Sequence, residues 1–268
     1  MPRVIVIGGV NHDRIWRLSD PLVRGGRLHV ASQEIQLGGG GFFTGSQLLD
    51  LGAEVSMVTW LRSDAQGYAA LDTLKQMGFE TREVAMEAGE TSLLEILLEP
   101  NGERTIMGLP SHARPPFTIA APLTGNAAYI NALSLDAGLV HALDDIPIVV
   151  TQLPLRPATP RPADYVISSR DDVDGDLDTA WQRAGAIAGS RLKMLVLTDG
   201  PEPITLFDGK DTVKVVPQQR IEVKSAIGAG DRFSGAMLFA LLEGKSVTAA
   251  AAFASTLTAD WLRRRDGL

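Results

Sequence analysis

Ile227-Gly228-Ala229-Gly230-Asp231-Arg232-Phe233-Ser234-Gly235-Ala236-Met237, near the end of the chain, places two glycines around an alanine and an aspartate directly after them. The pattern predicts a helix beginning at this point. Small residues let backbone N–H groups converge without side-chain obstruction. The first turn of a helix adds free donors and partial positive charge. Together these make an anion pocket suited to phosphate. Asp231 stands at its rim, where a carboxylate can accept a hydroxyl proton while the pocket stabilises charge on a transferring phosphoryl group. That pairing suggests phosphoryl transfer to an alcohol. The same residues also describe an ordinary glycine-rich turn with Asp231 as a helix cap, and taken alone they leave both readings open.

The rest of the chain narrows the field. Its 268 residues, 45% hydrophobic and 21% charged, suffice for one large α/β domain with a full core. The net charge is −7, and the longest basic run is Arg263-Arg264-Arg265, read as a solvated helix end. Nucleic acid is therefore not expected as the main partner. The absence of cysteine excludes disulfides and thiolate metal sites. The start is too short and too soon interrupted by glycine for a signal peptide. No apolar run approaches the roughly 20 residues of a membrane span. A cytoplasmic protein is expected. The histidines at 12, 29, 112 and 141 show no metal-ligand spacing and are read as surface or hydrogen-bonding residues.

Val4-Ile5-Val6-Ile7 reads as a buried central strand. A dinucleotide-binding loop after it would need glycine at 10 and 13, where the chain has Val10 and Asp13. Gly244-Lys245-Ser246 looks like the tail of a P-loop, but that motif would place glycine where Phe239 stands. Alternation from Leu28 to Leu37, and at Leu94, Ile96 and Leu98, predicts half-exposed strands of a small separate sheet. Ser63-Asp64 is expected to cap a helix with Tyr68, Leu71, Leu74 and Met77 on one face and Gly78 as its stop. Strand-like runs follow at Tyr129-Ile130, Ile148-Val149-Val150, Tyr165-Val166-Ile167 and Met194-Leu195-Val196-Leu197, with helical stretches between several of them, notably from Thr179 to Ala188. This alternation argues for a parallel sheet covered on both faces. A hairpin turning at Asp208-Gly209 and a long Ala-rich helix capped by Ser246 complete the pattern, and the proline-rich residues 153–163 form a loop.

Three segments in order carry a family resemblance. Gly228-Ala229-Gly230-Asp231 with Phe233 and Gly235 resembles the C-terminal signature of the ribokinase-like (PfkB-type) carbohydrate kinases. Gly38-Gly39-Gly40-Gly41, then Leu51-Gly52-Ala53, Val55-Ser56-Met57-Val58, Asp64 and Gly67 resemble the N-terminal signature. Ile7-Gly8-Gly9-Val10-Asn11-His12-Asp13 is similar to the family's first strand. The resemblance implies a single domain over 1–268: a three-layer α/β/α core with a mainly parallel sheet and a small β lid. It places the lid excursions near 14–36 and 91–112. It implies an ATP- and Mg2+-dependent phosphotransferase acting on a hydroxyl of a small sugar-like substrate. Asp231 is then the general base, with Gly228, Ala229 and Gly230 as the anion hole. Asp13, assisted by Asn11, holds vicinal hydroxyls, which suits a carboxylate because it accepts from two donors. Gly38, Gly39 and Gly40 let the backbone approach the substrate. Thr198 and Gly200 fall at the nucleotide edge, and Ser169 and Asp172 at the positions that organise magnesium.

The chain also departs from that family pattern. Where the family carries a substrate-binding asparagine, it has Phe43, which neither donates nor accepts a hydroxyl hydrogen bond. Where the family has Asp-Thr ahead of the anion loop, it has Ser225-Ala226, and it stops soon after Trp261, where relatives continue. Weak or absent potassium dependence is expected. Related readings are a nucleoside kinase, with Phe42-Phe43 stacking on a base, and a catalytically weak sugar or nucleotide sensor. A homodimer through the exposed lid edge is also expected.

Overall fold

The structure, a computed structural model, describes residues 1–108, 115–221 and 223–267. His112 and the end of the second lid excursion, residues 109–112, lie outside the described residues. In chain order the elements are β1 (Arg3–Gly8), β2 (Asn11–Leu18), β3 (Val30–Gly38), α1 (Gly40–Asp50), β4 (Glu54–Arg62), α2 (Ala65–Met77), β5 (Val84–Glu87), β6 (Leu93–Leu98), β7 (Arg104–Met107), β8 (Ala127–Asn131), α3 (Ala137–Ala142), β9 (Ile148–Gln152), β10 (Tyr165–Ser169), α4 (Leu177–Ala188), β11 (Met194–Asp199), β12 (Glu202–Phe207), β13 (Thr212–Val215), α5 (Ala229–Leu242) and α6 (Val247–Asp266).

The apolar run at the start forms β1, flanked in parallel by β4 and β8 and buried on both faces. Among the described residues the main sheet has the order β13-β12-β11-β10-β9-β8-β1-β4-β5. It is parallel from β11 to β5, and the β12–β13 hairpin closes one edge antiparallel. Alternate residues of each strand face opposite layers. Val4, Val6, Met57 and Tyr129 pack with residues of α1, α2, α5 and α6. Ile5, Ile7, Ala128 and Ile130 pack with α3 and α4. The fold is therefore the expected α/β/α sandwich.

A second sheet, β3-β2-β6-β7, stands apart as the lid. Its first excursion is longer than 14–36, because β2 already begins at Asn11 and β3 runs through to Gly38. Both ends of this hairpin are thus anchored beside the glycine runs. Ile15, Ile96 and Leu98 from the lid pack with Phe43 and Ile227 to seat it on the core.

Helix α2 is capped as expected: the Gly67 N–H donates to Asp64 Oδ1 at 2.8 Å, and Gly78 ends the helix at φ 96°. Its buried face is different from the one the apolar residues suggest. Gly67, Ala70 and Leu74 face the sheet, whereas Tyr68 and Met77 are exposed. A Cβ at Gly67 would lie 1.9 Å from the Arg62 carbonyl oxygen, so close contact with β4 sets the helix rotation rather than side-chain hydrophobicity.

Candidate active site

The carboxyl ends of the parallel strands form one edge of the main sheet, with Gly8 paired to Asn131 and Ser169 to Thr198. Ligands of open α/β sheets bind outside such an edge. Helix α5 points its N-terminus here, and Gly228 caps it with φ 77°, a left-handed conformation that favours glycine. A Cβ at Gly228 would also lie 2.9 Å from two ring atoms of Phe43. Two independent constraints therefore keep residue 228 small.

Asp231 sits in the first turn of α5 and is half-buried. Its carboxylate Oδ1 accepts from Asn131 Nδ2 at 3.3 Å, and its backbone carbonyl accepts from Thr44 Oγ1 at 3.0 Å. Burial pushes its carboxyl up to about 6, against the opposing pull of the Arg104 charge and the Asn131 amide. Asp13, on β2, is 3% exposed. Burial, and then repulsion from Asp231, raises its carboxyl to about 6 as well. The electrostatic coupling shows that the two aspartates share one neighbourhood. Asp13 Oδ1 accepts no hydrogen bond among the described residues. A buried carboxylate oxygen without a donor is costly, and hydroxyl donors from a ligand would relieve it.

The glycine run supplies the space these groups need. A Cβ at Gly38 would lie 1.9 Å from Asp13 Oδ2. One at Gly40 would lie 1.9 Å from Asn131 Nδ2 and 3.0 Å from Asp231 Oδ1. At Gly39 it would meet the Gly9 carbonyl oxygen at 2.5 Å and the Asn11 side chain at 3.2 Å. The four glycines are thus a close-packed junction between β1, β3 and α1 rather than a loose loop.

Phe43 lies in α1 and is 9% exposed. Its ring packs with Ile15, Ile96, Leu98 and Ile227 and meets Phe42 edge-on, while Phe42 in turn stacks on Phe79. Both aromatic rings are thereby engaged within the protein.

Beyond β10 and β11 the chain is more open. Thr198, near the end of β11, donates its Oγ1 hydroxyl to the Ser168 carbonyl at 3.3 Å. Gly200, with φ 51°, turns toward β12 with nothing near its Cβ direction. Ser169 ends β10, and Asp172 is exposed in the 3-10 turn that follows. Asp64 follows the carboxyl end of β4, which runs parallel to β1. It ties α2 to the start of the second lid excursion by accepting from the Thr91 N–H at 2.6 Å and the Thr91 hydroxyl at 2.8 Å. Those bonds, with that from Gly67, lower its carboxyl to about 2.

Residues 166–265 match the pfkB family of carbohydrate kinases. No curated protein matches the chain. Among solved structures it is similar to the ribokinase of Thermotoga maritima, with TM-score 0.74 and 15% identity over 98% of this chain and 93% of that one. It is similar to the Burkholderia thailandensis nucleoside kinase in complex with inosine, with TM-score 0.71 and 18% identity over 96% and 90%. The ribokinase of Cryptococcus neoformans var. grubii in complex with ADP gives TM-score 0.71 and 17% identity over 99% and 100%. The fold is ribokinase-like.

Within this ribokinase-like fold two site residues carry little signal in the sequence. Asn131 contacts Asp231 across a sequence separation of 100 residues. Its only signal is its place as the first polar residue after the buried run Ala127-Ala128-Tyr129-Ile130. Arg104, on β7, is visible in the sequence as a charge near a lid turn, and its charge acts on Asp231 only in the folded chain. No group of three His, Asp or Glu side chains gathers as a metal cage among the described residues. Magnesium commonly takes one or two carboxylates together with phosphate oxygens and water. A lone Asp172 beside Ser169 fits a cation carried largely by a nucleotide.

Proposed function

We propose that the protein transfers the γ-phosphoryl group of ATP to a hydroxyl of a small sugar-like substrate. The observation that carries this reading is Asp231: a carboxylate with its pKa raised to about 6, in the first turn of a helix that opens with Gly228, Ala229 and Gly230. At neutral pH it is mostly ionised, yet it is a stronger base than an ordinary aspartate. It removes the proton of the acceptor hydroxyl, the freed oxygen lone pair forms the new bond to phosphorus, and ADP leaves with the electrons of the old one. The backbone amides of the anion loop and the charge of Arg104 stabilise the transferring phosphoryl group.

Asp13 accepts hydrogen bonds from two hydroxyls of the substrate, and Asn11 and the glycine run shape the wall beside it. Phe43 acts as an apolar backing to the anion loop. Ser169, Thr198 and Gly200 border the nucleotide, and Asp172 with Ser169 would hold its magnesium, which supplies charge neutralisation on the phosphates. A nucleoside acceptor would need recognition by groups other than the Phe42 and Phe43 rings, which are packed internally. For assembly we propose a homodimer through the lid, since β3 is exposed from 30 to 36 and includes Val30 and Ile35.

The test is ADP release from ATP with a panel of sugars and nucleosides, run beside Asp231→Asn. At least one acceptor should support turnover in the native protein and not in the variant. Equal turnover by a folded variant would remove the proposed base.

A further inference from the structure

The segment leading into the anion loop is held by the far end of the chain. Arg265, in the last turn of α6, donates through Nη1 to the Ile227 carbonyl at 3.1 Å and through Nη2 to the Ser225 carbonyl. Its Nε bonds Asp266 Oδ1 at 3.0 Å, and Asp266 Oδ2 accepts from the Lys224 N–H at 2.6 Å. Three groups of residues 224–227 are therefore fixed from one helix end. The guanidinium also lies over Trp261, 4.7 Å from the ring centroid. Arg232, one residue after Asp231, lies over the same ring at 4.7 Å and bonds Asp50 Oδ2 at 2.7 Å and Gln47 Oε1 at 3.2 Å. A continuous stack thus joins α1, α5, α6 and the residues immediately before Gly228.

We propose that Arg265 is the positioning residue of the anion loop, a tethered cation that fixes the Ser225 and Ile227 carbonyls and so sets the direction of the amides at 228–230. The chemistry favours this role. Two carbonyl oxygens of a tight segment turned toward one point repel each other, and a planar fork with paired N–H groups satisfies both at once. The indole face holds the fork in plane by cation–π attraction. A lysine in its place would offer a point charge without the fork. The side chain is 28% exposed, so small solutes can reach the place it occupies. The catalytic consequence rests on the phosphoryl-transfer reading above, whereas the ordering of the loop does not.

The experiment compares the native chain with Arg265→Ala, Arg265→Lys and, as control, Arg264→Ala at the exposed neighbouring position. Amide hydrogen exchange at 226–230 is read without any acceptor present. Arg265→Ala should speed that exchange about tenfold or more, the scale of losing charge-assisted bonds. Arg265→Lys should fall between, and Arg264→Ala should match the native chain. Free guanidinium at a non-denaturing concentration should restore slow exchange in Arg265→Ala and leave Arg265→Lys unchanged. In turnover, kcat should fall while the KM for the acceptor hydroxyl compound holds, because Arg265 touches the loop and not Asp13. Exchange that is unchanged in Arg265→Ala, or accelerated but deaf to guanidinium, overturns the role. So does faster exchange with an unaltered kcat. If no acceptor is turned over even by the native chain, the kinase reading fails and the exchange data alone decide the brace.

Discussion

Around Asp13, Asn131 and Asp231 a methyl group added at Gly38 or Gly40 would overlap a neighbouring atom, whereas one added at Gly200 meets nothing within 4 Å. In the reaction proposed above, the first region is the acceptor end and the second the nucleotide rim. At the acceptor end two carboxylates are kept with raised pKa values, both by burial and Asp13 also by its neighbour's charge. At the rim Asp172 is exposed and Thr198 hydrogen-bonds main chain within its own sheet. The contrast teaches that a proton-transfer end has to be dry and sterically fixed, because electrostatic effects on reacting groups weaken in water. A nucleotide edge can rely on strand ends and water.

The strongest way to break that comparison is Asp231→Asn. We expect turnover to fall at least about 100-fold with ATP-induced thermal stabilisation retained, since a general base typically supplies 10²–10⁴. A similar loss from Asp172→Asn would show that the two regions are equally demanding. Next in size is Gly40→Ala. Its new methyl displaces the Asn131 amide from Asp231, and kcat should drop roughly 10- to 100-fold, the scale of misplacing a reacting group by about an ångström. Unaltered kcat with a crystallographically unmoved Asn131 would refute the steric argument. Arg104→Gln should cost about tenfold in kcat and raise the pKa of the acidic limb of the rate profile, because the charge that opposes the burial of Asp231 is gone. A profile that stays put would place Arg104 away from the site in solution.

Stability sharpens the same contrast. The folded pKa values of Asp13 and Asp231 lie above the unfolded value, near 6 rather than 3.8. Such groups favour folding fully below the unfolded pKa and withdraw that support as pH rises through about 6. Asp13→Asn should therefore raise Tm at about pH 8, by up to roughly 3 kcal/mol in equivalent free energy, and change little near pH 4. Scanning calorimetry at both values checks this, and a Tm that falls at both would mean that the ionised Asp13 has a stabilising partner. The smallest effect is reserved for the rim. Gly200→Ala meets only the strain of φ 51°, about 1 kcal/mol, so thermal unfolding should shift slightly and nucleotide affinity should hold.

Much of this arrangement is legible in the amino-acid sequence. Residues 228–231 announce a helix start, because glycine accepts the left-handed cap from which α5 opens, and the phosphate-binding reading comes from the family resemblance that these residues share with the two other segments. The run Val4-Ile5-Val6-Ile7 is a central strand because only a strand covered on both faces tolerates continuous apolar residues. Asp64 and Ser246 read as helix caps because their side chains satisfy amides that the chain itself cannot. These are local facts, determined within one turn or one strand.

What the tertiary structure alone decided is which distant groups meet. Tyr68 and Met77 look like core residues of α2, but backbone contact at Gly67 rotates the helix and leaves them exposed. Phe43 falls in the sequence where the family carries a substrate-binding asparagine, and its ring packs against Gly228, which lies in the last quarter of the sequence. Asn131 reaches Asp231 because α5 packs against β8. The Arg265 fork reaches the carbonyls of 225 and 227 only because α6 runs back along α5. Sequence patterns encode the conformation of a segment through local sterics and periodicity, but contacts across a hundred residues follow from how finished elements stack, which no short window of the chain contains.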